Sequence, residues 1–344
     1  MNKKQITVQL KRLSRSRETA FLSFMRNHMG DYKTFEQCWQ WRKDSNVEYH
    51  QETIVAAYGE DQEILGCIGI VPADIRCNGN KIHASWQQDS LVSPLARGLG
   101  VGKKLVKKGQ DDFRLVVAKG TSRAMYGLRK SLGYNDVPCS TYMLNVCGLP
   151  AGISIQKSVA FGILKLWGKV IPCPKKTEKM SIRSITHFGA DMDDLAAVLS
   201  SENVIRPYKG KDYLNERYGA CPGKKYTILG AYDQTTRGCI VLNISGQDKD
   251  EGWIVDMMCG SHDSSCAYAL IRAALDFFNH HQVSRVWCFA TFPPARRWFY
   301  RFGFVATNRS PRFTWFSDHT ETKDMASQTA WDFWHGDGDI EFYQ

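Results

Sequence analysis

The 344-residue chain is 43% hydrophobic and 12% aromatic, which is enough to fill the cores of two domains and argues against a disordered protein. Its formal net charge of +10 favours anionic partners, but it has no block of five or more consecutive basic residues and therefore predicts a phosphorylated ligand rather than a nucleic acid. No apolar run reaches the roughly 18 residues of a membrane-spanning helix, and the N-terminus lacks the apolar core of a signal peptide. The 11 cysteines include no CxxC pair, so we expect reduced thiols, no metal and a cytoplasmic protein.

The first half predicts the order helix, helix, antiparallel strands, helix, strand, helix, strand. The segments "RETAFLSFMRNHM" and "TFEQCWQWRKDS" have helical patterns, and "ETIVAAYG" is strand-like. In "DIRCNGNKIHA" the pair Asn78-Gly79 lies between strand-like flanks, which indicates a hairpin. The helix "GKKLVKKGQDDF", the strand "RLVVAKGT", the helix "SRAMYGLRKSLG" and the strand "CSTYMLNVCG" follow.

The second half repeats this plan after a connector. Residues 149–182 hold an amphipathic helix and the Pro/Lys-rich hinge "IPCPKKTEK". The strands "KKYTILGAYDQ", "GCIVLNISG" and "EGWIVDMMCG", a helix, the strand "SRVWCFAT" and the helix "PARRWFYRFG" come next. This internal repeat predicts two α/β (α+β) domains, residues 1–148 and 183–344, each with a mixed, mostly antiparallel sheet flanked by helices.

The glycine-rich segment "LVSPLARGLGVGKKLV" predicts a turn that opens a helix and binds phosphate. A P-loop would require glycine at Arg97 and a hydroxyl residue at Lys104. A dinucleotide fingerprint would require glycine at Lys103 or Leu105, in a parallel βαβ unit. Both patterns fail, so neither of these nucleotide folds is predicted.

What remains is a strand, V-x-P, and then R-G-x-G-x-G before a helix, which resembles the signature of the GNAT superfamily of N-acetyltransferases. The loop matches R/Q-x-x-G-x-G/A at each defined position, and "LRKSLGY" resembles the usual helix end of that fold. The resemblance implies two tandem GNAT-like domains, with coenzyme A or acyl-CoA as co-substrate. It implies that the cofactor is held by Leu91, Val92, Ser93, Arg97, Gly98, Leu99, Gly100, Val101, Gly102, Lys103 and Lys104.

Acyl transfer to an amine requires a polarised thioester carbonyl and a neutral amine. A backbone N–H near Leu91 or Val92 is expected to polarise the carbonyl, and Asp89 is the candidate base. The alternative is that Asp89 is an ordinary polar residue that fixes substrate hydroxyls or a bulge of the strand. His83, Trp86 and Gln88 on the same strand are candidate acceptor-binding residues, although each also suits an ordinary structural role.

Family members often carry a tyrosine in Y-x-x-x-G as general acid, and this chain departs from that pattern. Arg129 stands at this position before Gly133, and Phe299 stands there in the second half, although Tyr126 lies one helical turn from Arg129. Water is therefore an open alternative as the proton donor.

The second half lacks the loop, because "CGSHDSSCAYALI" replaces R-G-x-G-x-G. We therefore expect one coenzyme A site, in the N-terminal domain. Arg296 and Arg297 are candidates for holding a phosphorylated acceptor, with solvation at the surface as the alternative.

Over nearly its whole length the chain resembles bacterial nucleotide-sugar N-acyltransferases of surface-polysaccharide synthesis. The likeness rests on "FEQCWQWRKDSN", "HASWQQDSLVSPLARGLGVG" and "WDFWHGDGDIEFY". It implies an amino sugar on dTDP or UDP as acceptor. A FemABX-like transferase, a protein or small-amine acetyltransferase, and a non-catalytic coenzyme A-binding sensor stay open. A nucleic-acid binder is disfavoured, because aromatic and basic residues are not interleaved in a patch.

Overall fold

The structure is a computed structural model and describes residues 7–44, 53–147, 180–221, 223–245 and 250–338. The predicted connector helix and hinge, and residues 339–343 of the "WDFWHGDGDIEFY" segment, lie outside the described residues. Among the described helices, none has both the length and the apolar character of a membrane-spanning segment.

The first half contains every helix and strand that its sequence pattern predicts, and two further short strands, β1 and β6. Its elements are β1 Gln9–Arg12, α1 Glu18–His28, α2 Tyr32–Asp44, β2 Ile54–Tyr58, β3 Ile64–Cys77, β4 Asn80–Val92, α3 Val101–Asp112, β5 Leu115–Ala118, α4 Arg123–Ser131, β6 Asn135–Asp136 and β7 Tyr142–Val146.

The second half contains the predicted strands and helices together with short elements that its sequence pattern does not reveal. Its elements are β8 Ser181–Ser184, α5 Asp191–Ser200, β9 Val204–Pro207, α6 Lys211–Leu214, β10 Tyr226–Asp233, β11 Thr235–Ser245, β12 Glu251–Cys259, α7 Ser264–His280, β13 Arg285–Phe289, α8 Pro293–Tyr300, β14 Val305–Ala306, β15 Thr314–Phe316, α9 Thr320–Gln328 and β16 Ala330–Trp331.

These elements form two sheets, each flanked by helices. The first has the order β1-β2-β3-β4-β5-β15-β6, with β9 on β3 and β16 on β9, and the second has the order β14-β7-β13-β12-β11-β10-β8. In both sheets most neighbouring strands are antiparallel, and a parallel pair, β4 with β5 or β12 with β13, lies near the centre. The predicted fold class of mixed, mostly antiparallel sheets is thereby confirmed.

The two halves exchange a strand. β15 from the second half pairs with β5 and β6 in the first sheet. In return, β7 from the first half pairs with β13 and β14 in the second sheet. The division at residues 148 and 183 stays a prediction about the sequence, since membership of the sheets does not follow it.

The exchange produces a hydrophobic core that both halves share. Leu115 and Val117 of β5 pack in one cluster with Phe289 of β13 and Phe313 beside β15. Trp331 is 1% exposed in the same cluster. Burial of large apolar side chains from both halves favours a single folded body.

The hairpin of β3 and β4 turns at Asn78-Gly79, as predicted, with positive φ angles of 50° and 76°. Two left-handed residues in succession are the geometry of a type I′ turn. The amides of this turn donate to the carbonyls of Ser200 and Glu202, at the end of α5. The tip of the hairpin is thus fixed to the second half, and β4 is held along its length.

Candidate functional site

A gap opens in the first sheet between β4 and β5. The two strands pair only where Ala84, Ser85 and Trp86 face Leu115, Val116 and Val117, and beyond Trp86 they separate. In the separated part β4 carries a bulge, because its pairing with β3 shifts between Gln88↔Gly69 and Leu91↔Cys67. Asp89 lies in this bulge with a φ of 48°. A bulge re-aims side chains and frees backbone groups from the ladder.

The backbone of β4 next to the bulge presents an amide to this gap. Ser93 donates its amide to the carbonyl of Leu65 on β3, at 2.9 Å. Since amides alternate in direction along an antiparallel strand, the Val92 amide faces away from β3 and the Leu91 amide faces towards it. Of the two amides that the sequence suggested for polarising a carbonyl, the geometry therefore favours Val92 over Leu91.

A cavity of about 240 Å³ lies in the gap. One wall is the bulge, including Gln88, Asp89 and Ser90, and the other is formed by residues 119–122 with α4. The hydroxyls of Ser90 and Thr121 are buried without a hydrogen-bond partner among the described residues. Buried polar groups normally have partners, so these hydroxyls indicate a polar ligand or water in the cavity.

The glycine loop connects the end of β4 to the start of α3. Gly98 and Gly100 have φ angles of 78° and 80°, which side chains with a Cβ adopt only with strain. A Cβ added at either glycine would meet nothing within 4 Å, so the backbone is open to an approaching group. Gly100 caps α3, whose first amides have no partner within the helix.

The charge at this helix start also suits an anion. Arg97, Lys103 and Lys104 are all exposed around the loop. The positive end of a helix dipole and free backbone amides favour phosphate at such a position. The exposed loop at this helix start therefore suits a phosphate group.

The comparisons with known proteins agree with this geometry. Residues 20–124 match the family model described as acetyltransferase (GNAT) family. A GCN5-related N-acetyltransferase from Anabaena variabilis superposes with a TM-score of 0.61 at 10% identity, covering 90% of this chain and 72% of that chain. The corresponding protein from Kribbella flavida gives a TM-score of 0.60 at 12% identity, with 90% and 71% covered. The fold is that of the GNAT acetyltransferases.

The same GNAT fold extends to a eukaryotic acyltransferase. Saccharomyces cerevisiae N-myristoyltransferase with bound myristoyl-CoA superposes with a TM-score of 0.52 at 10% identity, covering 90% of this chain and 79% of that chain. No curated protein sequence matches the chain. The family match and the fold together support an acyl-CoA-dependent N-acyltransferase with acyl-CoA as co-substrate.

The other acceptor candidates on β4 lie in different surroundings. Gln88 lines the cavity. Trp86 stacks on Phe313 at 5.8 Å, in the core that the two halves share. His83 is exposed, stacks on Phe113 at 4.7 Å and lies six residues from Asp89, which is about 20 Å along a strand. Gln88 and Asp89 therefore lie together in the cavity wall, whereas His83 lies outside the cavity lining.

Arg296 and Arg297 also lie away from the cavity. The guanidinium of Arg296 is buried and donates to the carbonyls of Cys139, Thr141 and Ala290 at 2.9–3.1 Å. These bonds fix the segment before β7 to α8, so this charge is used within the fold rather than offered to a phosphate. Arg297 is exposed on α8.

Two cationic residues that line the cavity were not predicted as site residues. Arg129 is 1% exposed, and its Nη2 lies 3.4 Å from the amide oxygen of Gln87. Lys119 donates from Nζ to the carbonyls of Trp334 and His335 at 2.9 and 2.8 Å. The sequence signal for Arg129 was its place in the Y-x-x-x-G pattern, whereas nothing local marks Lys119.

Tyr126 lies outside the cavity lining, and its hydroxyl donates to Asp136 at 3.0 Å.

The second sheet has the corresponding gap between β12 and β13. Their parallel pairing ends at Ile254↔Cys288, and the pairing of β12 with β11 shifts between Ile254 and Asp256. Here the gap is filled by the C-terminal strap, which we define as residues 332–338. Thr291 donates its amide to Phe333, and the strap's Gly336 donates to Val255 at 2.8 Å. The strap therefore takes the place that a ligand would need.

Amides of the loop before α7 and of its first turn also have partners within the chain. Asp263 caps this helix by accepting from the Cys266 amide at 3.1 Å. The Ser261 amide donates to a carboxylate oxygen of Glu202 at 3.0 Å. Two carboxylates of the protein thus occupy a helix start whose counterpart in the first half is open and basic, which agrees with the predicted loss of this loop.

A buried ion cluster holds the strap in place. Lys209 lies 2.7 Å from Asp256 and 2.9 Å from Asp337 of the strap, and Tyr218 donates to Asp256 at 2.6 Å. Burial raises the pKa of Asp256 to about 6, against the opposing effect of Lys209.

Among the described residues, no group of three or more His, Cys, Asp or Glu side chains is placed to hold a metal ion.

Proposed function

We propose that the protein transfers an acyl group from acyl-CoA to the amino group of a deoxy-amino sugar carried on dTDP or UDP. The observation that carries the acyl-transfer part is the gap between β4 and β5, which holds the cavity and is followed along the chain by the glycine loop at the start of α3. The acceptor part rests on the resemblance of three sequence segments to nucleotide-sugar N-acyltransferases and on the net charge of +10.

Acyl-CoA supplies the acyl group as a thioester. In this proposal Arg97, Lys103, Lys104 and the amides at the start of α3 hold its pyrophosphate. The Val92 amide binds the carbonyl oxygen as negative charge develops on it.

Asp89 takes the proton of the acceptor amine. Its backbone position in the bulge places the residue in the cavity wall, next to Gln88 and Ser90. A carboxylate is effective in this role within hydrogen-bond reach of the amine, directly or through one water. The neutral polar side chains of Gln88, Ser90, Thr121 and Ser122 in the same wall suit the hydroxyl groups of a sugar.

The proposal is tested by incubating the protein with acetyl-CoA and a panel of dTDP- and UDP-linked amino sugars, polyamines and peptides, while free thiol is measured. We expect thiol release with a nucleotide-linked amino sugar. Thiol release with polyamines or peptides alone would show that the acceptor belongs to one of those classes and is not a nucleotide-linked amino sugar. Absence of thiol release with every acceptor and with longer acyl donors would leave the coenzyme A-binding sensor instead.

The role of Asp89 is tested by Asp89→Asn, because asparagine tolerates the left-handed backbone of this residue. We expect kcat to fall by about 10²-fold with little change in the KM for acyl-CoA. The matched control is Asp136→Asn, which removes a carboxylate outside the cavity lining. A kcat for Asp89→Asn equal to that of the control would assign proton removal to water.

A further inference from the structure

Arg129 is a cation fixed in the wall of the cavity that faces the bulge, and Lys119 in the same wall donates to the carbonyls of Trp334 and His335. Arg129 lies on the inner face of α4, is 1% exposed and lines the 240 Å³ cavity. The centre of its guanidinium lies 5.9 Å from the ring centroid of Tyr134. A guanidinium does not lose its proton in proteins, so this wall carries a permanent positive charge.

Gln87 holds this cation in place. Its amide oxygen accepts from Arg129 at 3.4 Å and from the Tyr134 hydroxyl at 3.0 Å, and its amide nitrogen donates to Val106 at 2.9 Å. Gly109 on α3 leaves room for this side chain, since a Cβ there would lie 2.3 Å from the Gln87 nitrogen. The buried network orients Arg129 before any ligand arrives.

The dimensions of the cavity bring a reacting thioester close to Arg129. The cavity has a volume of about 240 Å³. Asp89 and Ser90 form one side of this small space, and Met125 and Arg129 form the other. A thioester sulfur whose carbonyl lies at the bulge is therefore within the electrostatic reach of the guanidinium.

We propose that Arg129 stabilises the departing thiolate of coenzyme A by its charge, in place of a side chain that donates a proton. This inference rests on the proposed acyl-transfer function. In the step, the amine nitrogen forms a bond to the acyl carbon and the carbon–sulfur bond breaks. The electron pair stays on sulfur as a thiolate beside Arg129, and the amine proton passes to Asp89.

The nearby tyrosine does not supply a proton to the sulfur. The Tyr126 hydroxyl already donates to Asp136, and this hydrogen bond raises the pKa of Tyr126. A cation that attracts the thiolate achieves the same end without proton transfer, because it lowers the pKa of the thiol.

The test measures the thiol pKa of bound coenzyme A directly. Coenzyme A carrying ¹³C at the methylene next to sulfur is titrated by NMR, free and bound, so the protein's own cysteines do not contribute. In the wild-type complex we expect the thiol pKa to lie about one to three pH units below that of free coenzyme A. Arg129→Gln should remove this difference, and Arg129→Lys should retain part of it. Arg123→Gln, an exposed arginine on the same helix, should behave as wild type.

The outcomes separate this inference from the proposed function. Failure of wild-type protein to bind coenzyme A overturns the acyl-transfer function and the inference with it. Binding with an unshifted thiol pKa in the wild-type complex overturns the inference alone, whether or not the variants fold. A shift of equal size in wild type and in Arg129→Gln also overturns it, since the guanidinium would not be its source.

Discussion

The gap between β4 and β5 and the gap between β12 and β13 arise in the same way, from a short parallel pairing that ends next to a bulge. The first leads to a basic glycine loop and a cavity of about 240 Å³. The second is filled by the C-terminal strap, and carboxylates of the chain occupy the start of its helix.

The difference shows what converts a common strand geometry into a binding site. Separated strands expose backbone groups that must find partners, because buried amides and carbonyls are costly without them. In the second half the chain itself supplies the partners. In the first half the separated strands border the cavity, and we propose that acyl-CoA binds there.

The largest effect is expected when the ion cluster beneath the strap is broken. Lys209→Met leaves Asp256 and Asp337 buried together without their cation. We expect the free energy of unfolding to fall by about 3–5 kcal/mol in chemical denaturation.

The matched control is Lys211→Met, which removes a half-exposed pair with Asp193 at 3.6 Å and should cost no more than about 1 kcal/mol. Equal losses for the two variants would show that the strap does not depend on the buried cluster.

The next effect concerns the open gap. Gly100→Trp places a large side chain in the free space in front of the loop, and we expect coenzyme A affinity to fall at least about 100-fold, or 2.7 kcal/mol. Isothermal titration calorimetry measures this directly.

Two controls sharpen the result. Gly100→Ala carries the same left-handed strain without the bulk, so it separates strain from obstruction. His262→Trp makes the corresponding change in the exposed loop before α7 and should leave the affinity unchanged. Loss of binding in His262→Trp would place a coenzyme A site in the second half.

The smallest of the three effects is expected from crowding the filled gap. A Cβ on Gly336 of the strap would lie 2.3 Å from the Tyr218 hydroxyl and 3.0 Å from Val255. Gly336→Ala should therefore destabilise the protein by about 1–3 kcal/mol in thermal denaturation. Gly219→Ala, where a Cβ meets nothing within 4 Å, should stay within about 0.5 kcal/mol of wild type.

The sequence predicts the features whose cause is local. The glycine loop, the Asn78-Gly79 hairpin and the major helices follow from backbone preferences and periodicity within a few residues. The position of the strap cannot be predicted in this way, because the strap pairs with residues more than 40 positions earlier in the chain. The choice between the Leu91 and Val92 amides likewise required the partner strand. Amides alternate in direction along a strand, but alternation alone does not say which of the two faces the gap.

The role of a charged side chain is similarly hard to predict without the fold. Arg296 and Arg129 are both arginines on helices, yet Arg296 is committed to three carbonyls and Arg129 lines the cavity. The neighbouring residues in the sequence do not show which of these two roles each arginine has.

The exchanged strands have a consequence for synthesis of the protein on the ribosome. All the residues of the glycine loop and of the cavity wall precede residue 130, but the second edge of β5 in their sheet is paired only by Thr314–Phe316. Until that segment has been translated, β5 presents an unpaired edge, and such edges are prone to wrong pairing. A nascent chain or a fragment that stops at residue 148 would hold the whole coenzyme A sequence signature and still expose that edge.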